Sequence, residues 1–343
     1  MKKYLNTLFV TTQGAYLNKE GEAVLVSVEK EVKLRVPIHT LGGVVCFGNV
    51  MCSPYLLHHC AENNVLVSFL SENGRFLARV QGPVSGNVLL RREQYRRAET
   101  PESTMELARS FVLAKLANSR TVLQRALRDH TDKDGIATLD PLVQRLQHMV
   151  EKVRGENDLE ALRGLEGDAG HSYFNAFSHL ITAQKEGFPF TGRNRRPPKD
   201  NVNALLSFVY TLLAHDCTAA LEAVGLDPQV GFLHRDRPGR PSLALDMMEE
   251  FRSFFADRLV LSLINLKQVQ PNGFKTTESG AVEMTDETRK ALLVAYQKRK
   301  QEEMLHPFVE ESAALGLFFH LQAQLLARHL RGDLDAYPPF IWR

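Results

Sequence analysis

Gly82-Pro83-Val84-Ser85-Gly86-Asn87 divides this chain into two parts built on different periodicities. Glycine and proline at such density interrupt regular structure. Before this segment, apolar residues alternate or run in short blocks. Leu8-Phe9-Val10-Thr11-Thr12 and Ala23-Val24-Leu25-Val26-Ser27-Val28 read as strands on either side of a turn at Asn18-Lys19-Glu20-Gly21. Val32-Lys33-Leu34-Arg35-Val36 has period two, the mark of a half-buried strand. Val44-Val45-Cys46-Phe47 and Val65-Leu66-Val67-Ser68-Phe69 are continuous apolar runs, as strands buried on both faces require. Between them, Ser53-Pro54 starts a helix, with serine as N-cap and proline at the first helical position.

After the segment, apolar residues return at three- and four-residue steps. Helices are expected over residues 102–126 and 139–153, separated by the turn signal Asp132-Lys133-Asp134-Gly135. Pro198 and Asp200 introduce another over 201–224, which Gly225 ends; Ser242 caps one over 242–266, and Thr285 caps one over 285–304. His306-Pro307 breaks the pattern before a last helix ending at Leu330. The fold expected is α+β: a small β-rich N-terminal domain, 1–87, then a larger all-helical domain, 88–343.

With 343 residues, 44% hydrophobic and 24% charged, the chain has the composition of a soluble globular protein with room for two domains. No apolar run approaches the roughly 18 residues that span a bilayer, so no membrane is expected. The opening Met1-Lys2-Lys3-Tyr4-Leu5-Asn6 is not a secretory leader, and the expected compartment is the cytoplasm. The four cysteines fit neither a zinc pair nor a secreted disulfide framework. There is no His-Glu-x-x-His, no Walker glycine loop and no Gly-x-Ser-x-Gly elbow, which removes zinc peptidases, P-loop NTPases and α/β-hydrolases.

What remains is a dispersed set of acids and one imidazole: Glu166, His234, Asp246 and Glu249. Carboxylates with a neutral imidazole suit a hard divalent cation and phosphodiester chemistry. Each member also has a plainer reading. Glu166, among small residues in Gly164-Leu165-Glu166-Gly167, could be an acid favoured near a helix start. His234 could be a satisfied core histidine after Gly231-Phe232-Leu233, and Asp246 and Glu249 could be the polar face of an amphipathic helix. Arginines crowd beside these segments, in Arg193-Asn194-Arg195-Arg196 and in Arg235-Asp236-Arg237-Pro238-Gly239-Arg240. A net charge of +2 gives no further indication of partners.

In order along the chain come Gly164-Leu165-Glu166-Gly167 with Tyr173-Phe174, Arg196-Pro197-Pro198 with Asp200 and Asn203-Ala204-Leu205-Leu206-Ser207, Phe232-Leu233-His234, and Ser242-Leu243-Ala244-Leu245-Asp246 with Glu249-Glu250-Phe251-Arg252. With these four segments the chain resembles the CRISPR-associated integrase-endonuclease, the catalytic protein of the spacer-acquisition complex, and most of all its type I-C branch. The resemblance implies a metal-dependent DNA endonuclease and integrase that inserts spacer DNA by 3′-hydroxyl attack. It implies Mg2+ or Mn2+ held by Glu166, His234 and Glu249, with Asp246 a further ligand or a partner behind them. Many members of the family carry Asp at the position of Glu249, so either Asp246 or Glu249 could be the closer ligand. Implied partners are double-stranded DNA, a second copy in a homodimer, a smaller dimeric adaptation protein bridging two such dimers, and an end-trimming nuclease. Arg193, Arg195, Arg196, Arg235, Arg237 and Arg240 are the candidate phosphate contacts. Two rival readings are a non-catalytic nucleic-acid scaffold and a simple metal-dependent nuclease.

Overall fold

The structure, a computed structural model, describes residues 6–80, 82, 88–129, 136–194 and 197–342. Most of the dividing segment, the turn signal at 132–135, Arg195 and Arg196 lie outside the described residues.

The N-terminal part holds β1 (Thr7–Val10), β2 (Tyr16–Glu20), β3 (Ala23–Val28), β4 (Glu31–Pro37), β5 (Gly43–Phe47), β6 (Met51–Cys52), α1 (Pro54–Glu62), β7 (Leu66–Leu70) and β8 (Phe76–Val80). They form two four-stranded sheets, of order β1-β5-β7-β8 and β4-β3-β2-β6. The α1 start is built as expected: Ser53 Oγ accepts from Leu56 N at 3.2 Å, with Pro54 first in the helix. The residues expected to turn at 18–20 belong instead to β2, and the chain reverses at Gly21, whose φ of +57° suits glycine. The alternating segment is a strand, β4, but not half-buried. It is a sheet edge, and its Val32 and Leu34 stay 57% and 45% exposed.

The continuous apolar run of β5 has a clear cause. Val44 and Cys46 point into the small core between the two sheets, while Val45 and Phe47 point the other way, into the large helical core. There Phe47 stacks on Phe208, ring centroids 5.6 Å apart, so one strand joins both halves of the molecule.

The C-terminal part carries α2 (Val88–Glu99), α3 (Pro101–Asp129), α4 (Asp140–Gly155), α5 (Leu159–Leu180), α6 (Asn201–Ala223), α7 (Ser242–Glu249), α8 (Arg258–Asn265), α9 (Asp286–Gln301) and α10 (Leu315–Leu330). Among the described residues, α6 alone is long and apolar enough to cross a membrane by length and composition. Most of it is buried within the protein, where it packs on α7 and α10. Two differences from the expected pattern matter. Short antiparallel hairpins, β9 (Phe274–Thr276) with β10 (Val282–Met284) and β11 (Glu303–Leu305) with β12 (Ser312–Ala314), interrupt the helical region. And the single helix expected over 242–266 is α7, then a π-helical turn over Arg252–Asp257, then α8.

Candidate active site

Three helices converge on one buried polar cluster. Helix α5 brings Glu166; its start is fixed by Asp158, whose side chain accepts from Ala161 N at 2.7 Å. Helix α7 brings Asp246 and Glu249, which are 0% and 1% exposed. That burial removes the amphipathic-face reading, because neither acid meets solvent. The third helix, α3, brings a residue to which the sequence reading assigned no role. Lys115 Nζ bridges Glu166 Oε1 and Glu249 Oε2, the latter at 2.9 Å.

Asp246 has a different task from its neighbour. Its Oδ2 accepts from Phe232 N at 2.6 Å and Leu233 N at 3.0 Å, and its Oδ1 accepts from His234 N at 2.9 Å. His234 Nδ1 lies 2.6 Å from the same Oδ1. An ionised carboxylate only accepts, so Nδ1 carries a proton, and in the neutral imidazole the lone pair lies on Nε2. The backbone therefore wraps the segment 231–234 around one carboxylate. Gly231 is required for that approach: a Cβ there would lie 2.8 Å from Asp246 Oδ2. His234 is thus neither a spare core histidine nor free to rotate. A carboxylate behind an imidazole is the arrangement that orients metal-binding histidines.

Ser242 is not the helix cap. It is the first residue of α7, and its Oγ donates to Arg235 O at 3.2 Å, tying the arginine-rich loop to the helix.

The charges around Glu249 are balanced locally. Burial would push its carboxyl up, but Arg252, Lys115 and His234 outweigh burial and hold it at about 2. Arg252 Nη1 sits 2.6 Å from Glu249 Oε1 and its guanidinium lies 4.5 Å over the Tyr210 ring. The Tyr210 hydroxyl in turn donates to Asp257 Oδ1 at 2.5 Å, and burial pushes that carboxyl up to about 6. Burial alone would lower the Lys115 ammonium; Glu249 and Glu166 more than compensate, raising it.

The arginines divide into two groups. Arg193 turns inward, onto Asn203 Oδ1 at 2.6 Å and Ser207 Oγ at 3.1 Å. Arg235, though exposed, pairs with Glu160 on α5 at 2.5 Å. Arg237 and Arg240 sit at the ends of a tight turn, Arg240 N bonding Arg237 O at 3.0 Å, with Arg237 exposed. Along α5, a methyl group added at Gly164, Gly167 or Gly170 would meet nothing within 4 Å, so the helix presents an open face beside Glu166.

The structure gathers Glu166, His234, Asp246 and Glu249, the residues singled out in the sequence, with Lys115, Arg252, Tyr210 and Asp257, to which the sequence reading gave no role. A signal for Lys115 was present: it is the lone charge between Arg109 and Arg120, inside the apolar stretch Phe111-Val112-Leu113-Ala114-Lys115-Leu116. Among the described residues no three His, Cys, Asp or Glu side chains are grouped to hold a metal as they stand. The donor chemistry nonetheless fits one. Two carboxylates from separate helices already meet at a single cation, the Lys115 ammonium, and the carboxylate-backed imidazole of His234 lies near enough to Glu249 to help lower its carboxyl.

A β-rich part is joined to a helical part whose α3, α5 and α7 bring together carboxylates, an ammonium and an oriented imidazole. The chain belongs to the CRISPR associated protein Cas1 family, whose model matches residues 8–298. It is 58% identical over 343 residues to the CRISPR-associated endonuclease Cas1 1 of Chlorobaculum tepidum, covering 100% of both chains. It is 38% identical over 340 residues to a CRISPR-associated exonuclease Cas4/endonuclease Cas1 fusion of Geobacter sulfurreducens, covering 98% of this chain and 60% of the fusion. Among solved structures, a casposase bound to integration product shares its fold with a TM-score of 0.84 at 23% identity, covering 98% of this chain and 94% of that one. A Cas6-RT-Cas1–Cas2 complex does so at 0.83 and 22%, covering 98% and 36%.

Proposed function

We propose that this protein is a metal-dependent DNA endonuclease and integrase that inserts spacer DNA into a CRISPR array, at the adaptation stage of antiviral defence. The observation that carries the proposal is the meeting of Glu166 and Glu249 on one cation position beside an Asp246-oriented His234, in a member of the Cas1 family. In this reading Glu166, His234 and Glu249 hold one Mg2+ or Mn2+. When bound, the ion polarises the scissile phosphate and eases deprotonation of the attacking hydroxyl. Asp246 positions His234 and, in the neutral ring, fixes the proton on Nδ1 so that Nε2 is the free donor atom; Arg252 holds the Glu249 carboxylate in place.

The reaction is a transesterification. The 3′-hydroxyl oxygen of the incoming DNA bonds to phosphorus as the bond to the leaving strand breaks. With water as nucleophile the same site cuts DNA. Arg193, Arg195, Arg196, Arg235, Arg237 and Arg240 are the phosphate contacts of this reading, and Arg193 and Arg235 also bond within the protein, to Asn203 and Glu160. Residues 88–343 form the catalytic domain and residues 1–87 the dimerisation domain. A Cas1–Cas2 complex among the fold neighbours supports a smaller dimeric partner bridging two homodimers on double-stranded DNA. The Cas4 fusion supports an end-trimming nuclease as a further partner. The type I-C branch and the cytoplasm complete the reading.

The test is strand transfer of a labelled duplex with free 3′-hydroxyl ends into a repeat-bearing target, with Mg2+ or Mn2+. Glu166→Ala is expected to abolish joined product while leaving the fold and DNA binding intact. Full metal-dependent joining by that variant overturns the assignment, and cleavage without joining by the unaltered protein favours a simple nuclease.

A further inference from the structure

Lys115 is more than a neighbour of the site. Its ammonium contacts both Glu166 Oε1 and Glu249 Oε2, and its side chain is only 12% exposed. Glu166 and Glu249 come from α5 and α7, so in the protein as it stands the cation between them is what joins these two helices at this point. Glu249 already has Arg252 on its other oxygen, so two carboxylates face two cationic side chains. A divalent ion brought onto the same two carboxylates would set its double positive charge against the Lys115 ammonium, whose side chain is only 12% exposed, and like charges there repel. The long, flexible lysine stem is the part that can yield: an ammonium on four methylenes can withdraw, whereas Arg252 is held by Glu249 and stacked on Tyr210.

We propose that Lys115 is a resident counter-cation of the metal seat. It holds Glu166 and Glu249 together in the metal-free protein and is displaced when a divalent ion binds, so metal affinity is set by competition between an ammonium and the ion. This rests on the reading of Glu166, His234 and Glu249 as metal ligands. It adds that the site is never an open pair of carboxylates: without metal the lysine closes it, and with metal the lysine leaves.

Two measurements on the full-length protein test it, with Mn2+ as the probe. The first is acylation of lysines by N-hydroxysuccinimidyl acetate with and without Mn2+, quantified by peptide mass spectrometry. Lys115 is expected to react several-fold faster with Mn2+ present, while exposed Lys19 is unchanged. The second is Mn2+ binding followed by the paramagnetic resonance signal of the free ion. Lys115→Met is expected to bind Mn2+ at least tenfold more tightly and to melt at a lower temperature in chelator. Unchanged Lys115 acylation in protein that binds Mn2+, or an unchanged or weaker Mn2+ affinity in folded Lys115→Met, overturns the proposal. If the unaltered protein and Glu166→Gln bind Mn2+ equally, the metal-ligand reading itself fails, and the proposal with it. If Lys115→Met does not fold, acylation of the unaltered protein decides the matter.

Discussion

At the scale of single residues, two acids three positions apart on one helix do unlike work. Asp246 is saturated by hydrogen bonds from 232–234 and serves His234, whereas Glu249 faces cations. Their difference sets a pH dependence. The Glu249 carboxyl is held at about 2 in the folded protein, below the ordinary carboxylate value it has when unfolded. A depressed carboxyl stabilises the fold above the unfolded value and loses that contribution as pH falls through the folded one. Glu249→Gln is therefore expected to cost roughly 3 kcal/mol near neutral pH, a figure equal to the free energy of a shift of that size. The gap from the unaltered protein should close as pH falls from about 4.5 toward 2. Denaturant melts across that range check it; a gap constant with pH contradicts the ion-pair origin.

At the scale of elements, the residue that ends the helix bearing these acids anchors the last described stretch of the chain. Glu250 is fully buried and accepts from Tyr337 Oη at 2.5 Å, Phe340 N at 2.6 Å and Gln322 Nε2 at 2.9 Å. Asn118 on α3 clamps the same segment, accepting from Trp342 N at 2.8 Å and donating to Phe340 O at 2.9 Å. Glu250→Ala leaves Tyr337 Oη and Phe340 N without their acceptor, while Gln322 Nε2 keeps Tyr337 Oη and Pro338 O, and should cost roughly 3 kcal/mol. It should also open residues 337–342 to carboxypeptidase; a variant as stable and as resistant as the original contradicts this anchoring role. Much of this level was legible in sequence. The apolar runs of β5 and β7, the Ser53-Pro54 start and the period of α3, α4 and α6 each declare themselves locally. The three-residue strands of β9 to β12 are too short for a period-two pattern to register. The π-helical turn is invisible for another reason: its Asp257 is held by Tyr210 and Arg252, contacts that tertiary packing makes. The site splits in the same way. Glu166, His234 and Glu249 stand in segments whose order is distinctive, while Lys115 acquires meaning only when α3 meets α5 and α7.

At the scale of the molecule, the two halves differ in what they leave exposed. Across the outer face of the β4-β3-β2-β6 sheet, Met51, Tyr16, Ser27 and Val32 pair in one row. Three of these are large apolar residues, 57%, 42% and 57% exposed. Such a row on a sheet is the surface on which the proposed homodimer would close. Met51→Asp is expected to shift the protein toward monomer by light scattering while changing its stability by no more than about 0.5 kcal/mol. A dimer that persists contradicts this face as the interface. The helical half instead presents the glycine-lined side of α5 beside Glu166, the face on which the proposed reaction would place the DNA backbone. Everything chemical then depends on whether Glu166, His234 and Glu249 share one ion. Anomalous diffraction from crystals soaked in Mn2+ measures that directly. A single manganese peak coordinated by these three side chains, with Lys115 withdrawn, is the expected result; manganese bound elsewhere, with Lys115 still bridging the two glutamates, contradicts it.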